Sequence, residues 1–237
     1  MIETLLDGDA AGVGMFGDQA CAALLAAEEA VVASAVEKRR REFTQVRDCA
    51  RRALAQLGVG PVPILPGPGG CPTWPPGIVG SMTHCEGYRA AVVGRAAEIL
   101  SIGIDAEQHR PLGEDIVTTI RSPAEREHLA TLHQRCPDLH WETLLFSIKE
   151  SVYKAYFPIT RAWLGFEQAT VRIDATRCSF RADLAVPIPV PYGDPIVSLT
   201  GRWLIRSRHV MTAIVIRHSA LGGVREPSDP LRITCGT

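Results

Sequence analysis

Residues 101–108 read Ser-Ile-Gly-Ile-Asp-Ala-Glu-Gln, and about 40 residues later 146–157 read Phe-Ser-Ile-Lys-Glu-Ser-Val-Tyr-Lys-Ala-Tyr-Phe. Extended from Ile102 to Glu107, the first segment points Asp105 and Glu107 to one side and Ile104 and Ala106 to the other, with the two carboxylates about 6–7 Å apart along the strand. Like charges at that separation stay ionised together only beside a cation or strong donors, and oxygen ligands suit a hard ion such as Mg²⁺. Read alone, the pair fits a solvated sheet edge equally well. The second segment is helical: Leu145, Ile148, Val152 and Tyr156 recur at spacings of 3, 4 and 4 and form a buried stripe. Glu150 and Lys154, at i and i+4, share the opposite side. That spacing also describes an ordinary surface ion pair, worth only about 0.2–0.5 kcal/mol.

Outward from these segments the chain alternates helix-rich and strand-rich stretches. Residues 20–57 are dense in Ala, Leu, Glu and Arg and predict one or two helices ending at Gly58. Gly60 to Gly77 is rich in Pro and Gly and must be loop, because proline removes donors and fixes φ. Short strands are expected at Ile78 to Met82 and Arg89 to Gly94, flanking a turn at Cys85 to Gly87. A helix of about 16 residues around Leu144 to Phe157 opens the second part. Strands follow at Thr170 to Asp174, Cys178 to Leu184, Val197 to Ser207 and Val210 to Arg217, the last two joined near Arg208 and His209. The expectation is an α+β fold of two similar halves related by pseudo-two-fold symmetry, with the active site at their interface. The halves are assigned to 21–103 and 104–217, with loosely ordered ends at 1–20 and 218–237.

Composition narrows the function. The 237 residues are 46% hydrophobic and 22% charged, which excludes a disordered chain or a coiled coil. With 25 basic against 26 acidic residues the net charge is -1, so there is no global field for a general nucleic-acid binder. The acidic start MIETLLDGDA and the apolar run ending at Glu28 and Glu29 resemble neither an export signal nor a membrane span. Seven cysteines in irregular positions, with no C-x-x-C, point to reduced thiols and a cytoplasmic protein.

Three further motifs carry weight. Lys38 to Arg52 holds seven basic and two acidic residues. Phe43, Val46, Ala50, Leu54 and Leu57 set its apolar face; Arg40, Arg47 and Arg51 align beside that face and Arg39 falls on it. Guanidinium groups there match phosphate oxygens, although a solvated basic face or an RNA-binding helix also fits. His84, after a strand, reads as a cap or as a ligand. Ser81 follows Gly80 without completing G-x-S-x-G and is not a hydrolase nucleophile. Gly12 to Gly17 matches G-x-G-x-x-G, but no apolar strand precedes it, so it is not a dinucleotide loop.

In order, the basic helix, the Pro/Gly loop, W-P-x-G-x-x-G-S-x-T-H (Trp74 to His84), G-I-D-A-E and F-S-I-K-E-S-V-Y-K-A resemble the 4′-phosphopantetheinyl transferases over roughly residues 36–170, in particular the long, single-chain, surfactin-type branch. The resemblance implies transfer of the phosphopantetheine arm of coenzyme A to a serine of an apo acyl or peptidyl carrier protein, releasing 3′,5′-ADP. It implies Mg²⁺, or Mn²⁺, on Asp105, Glu107 and Glu150, with the carbonyl of Ala106 or a water completing the shell. Lys154 would sit against the α-phosphate, and Glu150 is also the candidate base. Thr83, His84, Arg39 and Arg47 match positions at the nucleotide end, and Lys149 is a further phosphate-side candidate. Tyr153, Trp163 and Phe166 would line the arm's groove. Where many relatives carry a lysine this chain has Pro66, so backbone amides of Gly67, Gly69 or Gly70 would serve the phosphates instead. The expected partners are coenzyme A and carrier proteins, with no nucleic acid or membrane, and the protein is expected to be a monomer. An Mg²⁺-dependent hydrolase of a nucleotide pyrophosphate, or a non-catalytic RNA-binding protein, would share individual motifs but not their order.

Overall fold

Helices laid across antiparallel sheets make up the chain. A computed structural model describes residues 1–191 and 193–218. A 3-10 turn at Ile2–Leu5 precedes strand β1 (Ala10–Phe16), helix α1 (Ala26–Val31) and helix α2 (Glu37–Gln56). The Pro/Gly stretch holds a minimal hairpin of β2 (Leu65–Pro66) and β3 (Pro72–Thr73), followed by β4 (Ile78–Cys85), β5 (Tyr88–Arg95) and β6 (Ile99–Gln108). Helices α3 (Glu114–Ile120), α4 (Pro123–Arg135) and α5 (Trp141–Thr160) come next, then β7 (Ala169–Asp174), β8 (Ser179–Ile188), β9 (Ile196–Arg206) and β10 (His209–Arg217).

Two larger sheets result, in the orders β1-β5-β4 and β6-β10-β9-β8-β7, every pairing antiparallel. Each carries one 20-residue helix. Helix α2 buries Cys49, Ala53 and Leu54 against Val13 of β1 and Val93 of β5. It stops where its periodicity does: Gly58, at φ 75°, takes the left-handed conformation, its amide reaches the Ala55 carbonyl and that of Val59 reaches Leu54. Helix α5 buries the stripe Leu145, Ile148, Val152 and Tyr156 against Phe180 and Trp203 of the larger sheet. A third apolar cluster, including Ile2, Tyr88, Ile104 and Met211, joins the two lobes.

The lobes meet where β4 runs beside β6. These strands belong to different sheets, and side-chain hydroxyls stand in for a ladder: the Ile104 amide donates to Ser81 Oγ at 3.1 Å and the Ala106 amide to Thr83 Oγ1 at 3.2 Å.

Two boundaries differ from the sequence expectation. Residues 1–20 are not loose: β1 pairs with β5 from Ala10↔Gly94 to Phe16↔Tyr88, and Ala11, Val13 and Met15 alternate into the α2 cluster. Four of the seven residues of this strand are Ala or Gly, so its own composition carries little β signal. The division at 103/104 falls inside β6, whose ladder with β10 already starts at Ile99. At the other end, the His218 amide donates to the Glu98 carbonyl, and the rest of the expected tail lies outside the described residues.

Candidate active site

The alternation of β6 sends Ile104 and Ala106 into the inter-lobe core and Asp105 and Glu107 into a cleft of about 530 Å³. Gly103 lets α5 lie this close. A Cβ there would collide with the Ser151 carbonyl and stand 2.6 Å from the Ala155 amide nitrogen. With the helix seated, the Ser101 hydroxyl donates to the Ala155 carbonyl at 2.7 Å, and Glu150 and Lys154 come over the two acids. Thr83 and His84 of β4 with Arg39, Phe43 and Arg47 of α2 form the opposite wall, and Pro66, Gly70 and Pro72 form the rim. A second cavity, about 290 Å³, is lined by Tyr153, Trp163, Leu164 and Phe166 and shares Glu150 with the cleft.

The acidic end is under electrostatic strain. Burial, then Asp105 and Glu150, pushes the Glu107 carboxyl up to about 7, with Lys154 pulling the other way. Glu150 is raised as well, by burial and then by Asp105, again opposed by Lys154. The Lys154 ammonium stands 2.7 Å from Asp105 Oδ1, which also accepts the Thr83 hydroxyl at 3.2 Å. Asp105 Oδ2 is buried with no hydrogen-bond partner. Among the described residues no three His, Cys, Asp or Glu side chains close on a single point, so the three carboxylates share the cleft without forming a finished cage. An all-oxygen set, an unmet buried acceptor and two carboxyls made weaker acids by burial and by the charge of Asp105 are the chemistry that a hard divalent cation relieves.

At the basic end, Arg47 lies over the Phe43 ring, 3.3 Å from its centroid, and its Nε donates to the Ile64 carbonyl at 3.2 Å. Burial brings this guanidinium down to about 10, so it stays charged at neutral pH and is poorly hydrated. Arg39 Nη1 is 3.2 Å from His84 Nε2, and Glu42 lies 3.7 Å from the same ring nitrogen and 3.8 Å from Arg89. Burial lowers the His84 pKa, Arg39 and Lys154 add to the shift, and Glu42 opposes it.

This arrangement coincides with similarity to proteins of known activity. A model of the 4′-phosphopantetheinyl transferase N-terminal domain matches residues 27–94, and one of the 4′-phosphopantetheinyl transferase superfamily matches 101–188. The chain is 47% identical over 211 residues to 4′-phosphopantetheinyl transferase Svp of Streptomyces mobaraensis, covering 89% of this chain and 85% of that one. The chain belongs to the 4′-phosphopantetheinyl transferases. It is also 46% identical to Npt of Nocardia iowensis (79% of this chain, 87% of the relative) and 45% identical to PptT of Mycobacterium tuberculosis (88% and 92%), both of the same name. As a transferase of this family it moves the phosphopantetheine arm of coenzyme A onto carrier proteins.

In this transferase eight of the expected site residues line one cleft: Arg39, Arg47, Thr83, His84, Asp105, Glu107, Glu150 and Lys154. Tyr153, Trp163 and Phe166 come together in the side cavity. Three residues are placed elsewhere. Lys149 borders the side cavity, but its ammonium is buried on Glu125 at 3.0 Å and the Phe166 carbonyl at 2.7 Å, so no phosphate reaches it. Gly67 spends its amide on the Cys71 carbonyl at 2.7 Å, closing the turn rather than facing a ligand; Gly70, on the cleft rim, spends its own amide on the Gly67 carbonyl. Ala106 packs into the core, its amide is taken by Thr83, and it does not line the cleft. The hydroxyl of Thr83 is likewise committed to Asp105 and the Ala106 amide rather than free for a nucleotide phosphate. Arg51, aligned with Arg47 in the sequence, is buried on Glu28 at 2.6 Å.

The cleft also contains residues the sequence reading passed over: Met82, Phe146 and, behind His84, Glu42. The signal for Phe146 was its place one turn before Glu150 on the same helix. Nothing local marks Glu42 as the carboxylate between His84 and Arg89.

Proposed function

We propose that this transferase works as the surfactin-type branch does, as a monomer in the cytoplasm with the whole site supplied by one chain. Among the described residues no helix is long and apolar enough to cross a membrane. The observation that carries the reading is the shared wall at Glu150: arginines and a histidine lie on one side of the acidic cluster and an aromatic cavity on the other. Coenzyme A has the same polarity, with phosphates on the nucleotide at one end and a slender arm at the other. Arg39, Arg47 and His84 receive the nucleotide end, and Tyr153, Trp163 and Phe166 flank the arm. The pyrophosphate falls between them.

Asp105, Glu107 and Glu150, with water, would hold Mg²⁺ or Mn²⁺ there, and the ion when bound withdraws charge from the phosphorus under attack and from the leaving phosphate. Lys154, within reach of Asp105, serves the α-phosphate and balances the charge that builds on it. Glu150 takes the proton of the carrier serine, directly or through a water. The serine oxygen–phosphorus bond forms, the pyrophosphate P–O bond breaks, and 3′,5′-ADP leaves with the electron pair.

Intact mass spectrometry of apo carrier proteins from fatty-acid, polyketide and nonribosomal-peptide systems, incubated with the chain, coenzyme A and Mg²⁺, tests this. A gain of one phosphopantetheine is expected, and Glu150→Gln or Asp105→Asn should slow it by about 10²-fold or more while leaving the chain folded. No gain on any carrier, with coenzyme A consumed in its absence, would replace the reading with a pyrophosphate hydrolase.

A further inference from the structure

Asp105 is held unevenly. Its Oδ1 takes two donors, the Lys154 ammonium and the Thr83 hydroxyl, while the buried Oδ2 takes none. Thr83 lies on β4, in the other lobe, two residues after Ser81, so both hydroxyls face β6. Each accepts a β6 amide, Ser81 from Ile104 and Thr83 from Ala106, and only Thr83 also reaches a carboxylate. A hydroxyl has a single proton to give. With the Ala106 amide occupying Thr83 Oγ1 as acceptor, that proton is directed to Asp105 Oδ1.

We propose that Thr83 is a positioning residue for the reaction: its hydroxyl pins Asp105 across the lobe seam by Oδ1 and keeps Oδ2 as the oxygen reserved for the cation. The proposal rests on the reading of Asp105 as a cation ligand. A hydrogen bond of this kind fixes the orientation of a ligating carboxylate, and its loss weakens metal binding. Ser81 is the internal control, since it makes the same seam contact without touching Asp105.

The test is Mn²⁺ titration of the full chain, reading free Mn²⁺ by electron paramagnetic resonance, alongside thermal unfolding. Thr83→Val should bind Mn²⁺ about 10- to 100-fold more weakly than wild type, with Thr83→Ala in its place if the valine variant does not fold. Thr83→Ser should restore wild-type binding. Ser81→Ala should lower the melting temperature about as much as Thr83→Val yet keep wild-type Mn²⁺ affinity. In transfer assays Thr83→Val should need more Mg²⁺ for half-maximal rate and recover its kcat when Mg²⁺ saturates. Wild-type Mn²⁺ affinity in Thr83→Val, with binding lost in Asp105→Asn, would overturn the role of Thr83 alone. So would Ser81→Ala weakening Mn²⁺ as much as Thr83→Val does, because the seam would then be the whole effect. Undiminished Mn²⁺ binding by Asp105→Asn would remove the ligand reading and this inference with it.

Discussion

Glu28 in the N-terminal lobe and Glu125 in the C-terminal lobe are both the third residue of a helix, both fully buried, and both folded back onto the residue before the helix, Leu25 and Ser122. Each pairs with a base from its lobe's long helix, Arg51 at 2.6 Å and Lys149 at 3.0 Å. Each also accepts a backbone amide from across the lobe, Ile64 at 2.9 Å and Val171 at 2.8 Å. The difference is in what the tether holds. Ile64 lies in the Pro/Gly loop that rims the cleft, whereas Lys149 goes on to the Phe166 carbonyl and so fixes a wall of the side cavity. A buried ion pair adds little net stability over apolar residues of the same size, but it is costly to break and rigid in geometry. In this transferase both pairs hold the segments that flank the site.

Breaking the pairs gives the largest effect. Glu125→Ala leaves the Lys149 ammonium buried without a counter-charge and should cost about 3–5 kcal/mol in urea unfolding. Glu28→Ala should fall at or below the lower end of that range, about 3 kcal/mol, because Arg51 keeps the Ala23 carbonyl at 3.2 Å. Replacing both partners, Glu125→Leu with Lys149→Met, should return part of the stability, short of all of it because the Ser122 and Val171 amides lose their acceptor, and a drop in transfer by the folded double variant would show that the site depends on the Lys149 hold on Phe166.

Glu107 and Glu150 sharpen the contrast, since burial and the nearby Asp105 charge raise both. The folded chain therefore holds protons that the unfolded chain releases. Stability of the metal-free protein from these groups is complete below about pH 4.5 and is lost progressively as the pH rises to about 7, where Glu107 ionises in the folded state. Melting temperatures across that window should fall without Mg²⁺ and flatten when Mg²⁺ is added.

The smallest effect separates the two helix ends. Helix α2 closes on Gly58 and α5 on Arg161, at φ 75° and 57°. Gly58→Ala should cost about 1 kcal/mol and Arg161→Gly should recover a similar amount, because a Cβ is disfavoured in the left-handed conformation.

Much of this was legible locally. The alternation around Asp105 and the 3-4-4 stripe of α5 each encode which face is buried, so the orientation of Asp105, Glu107, Glu150 and Lys154 followed from period alone. The order of motifs then pointed to the family. Strand β1 was not legible, since Ala11, Val13 and Met15 gain their place only by pairing with β5. Nor was the closed turn of Gly67 and Gly70, whose amides read as free until the hairpin that consumes them is formed.

Lysine shows where the limit lies. Lys149 and Lys154 stand five residues apart on one helix, yet one is sealed onto Glu125 and the other faces Asp105. Helical period fixes a direction in space and says nothing of what waits there. The sequence by itself determined the elements, their buried faces and the reacting residue types, because these depend on contacts a few residues apart. Which base meets which acid, and that Thr83 of one lobe reaches Asp105 of the other, was decided only when distant segments packed, because the energy of a buried charge depends on the partner brought to it.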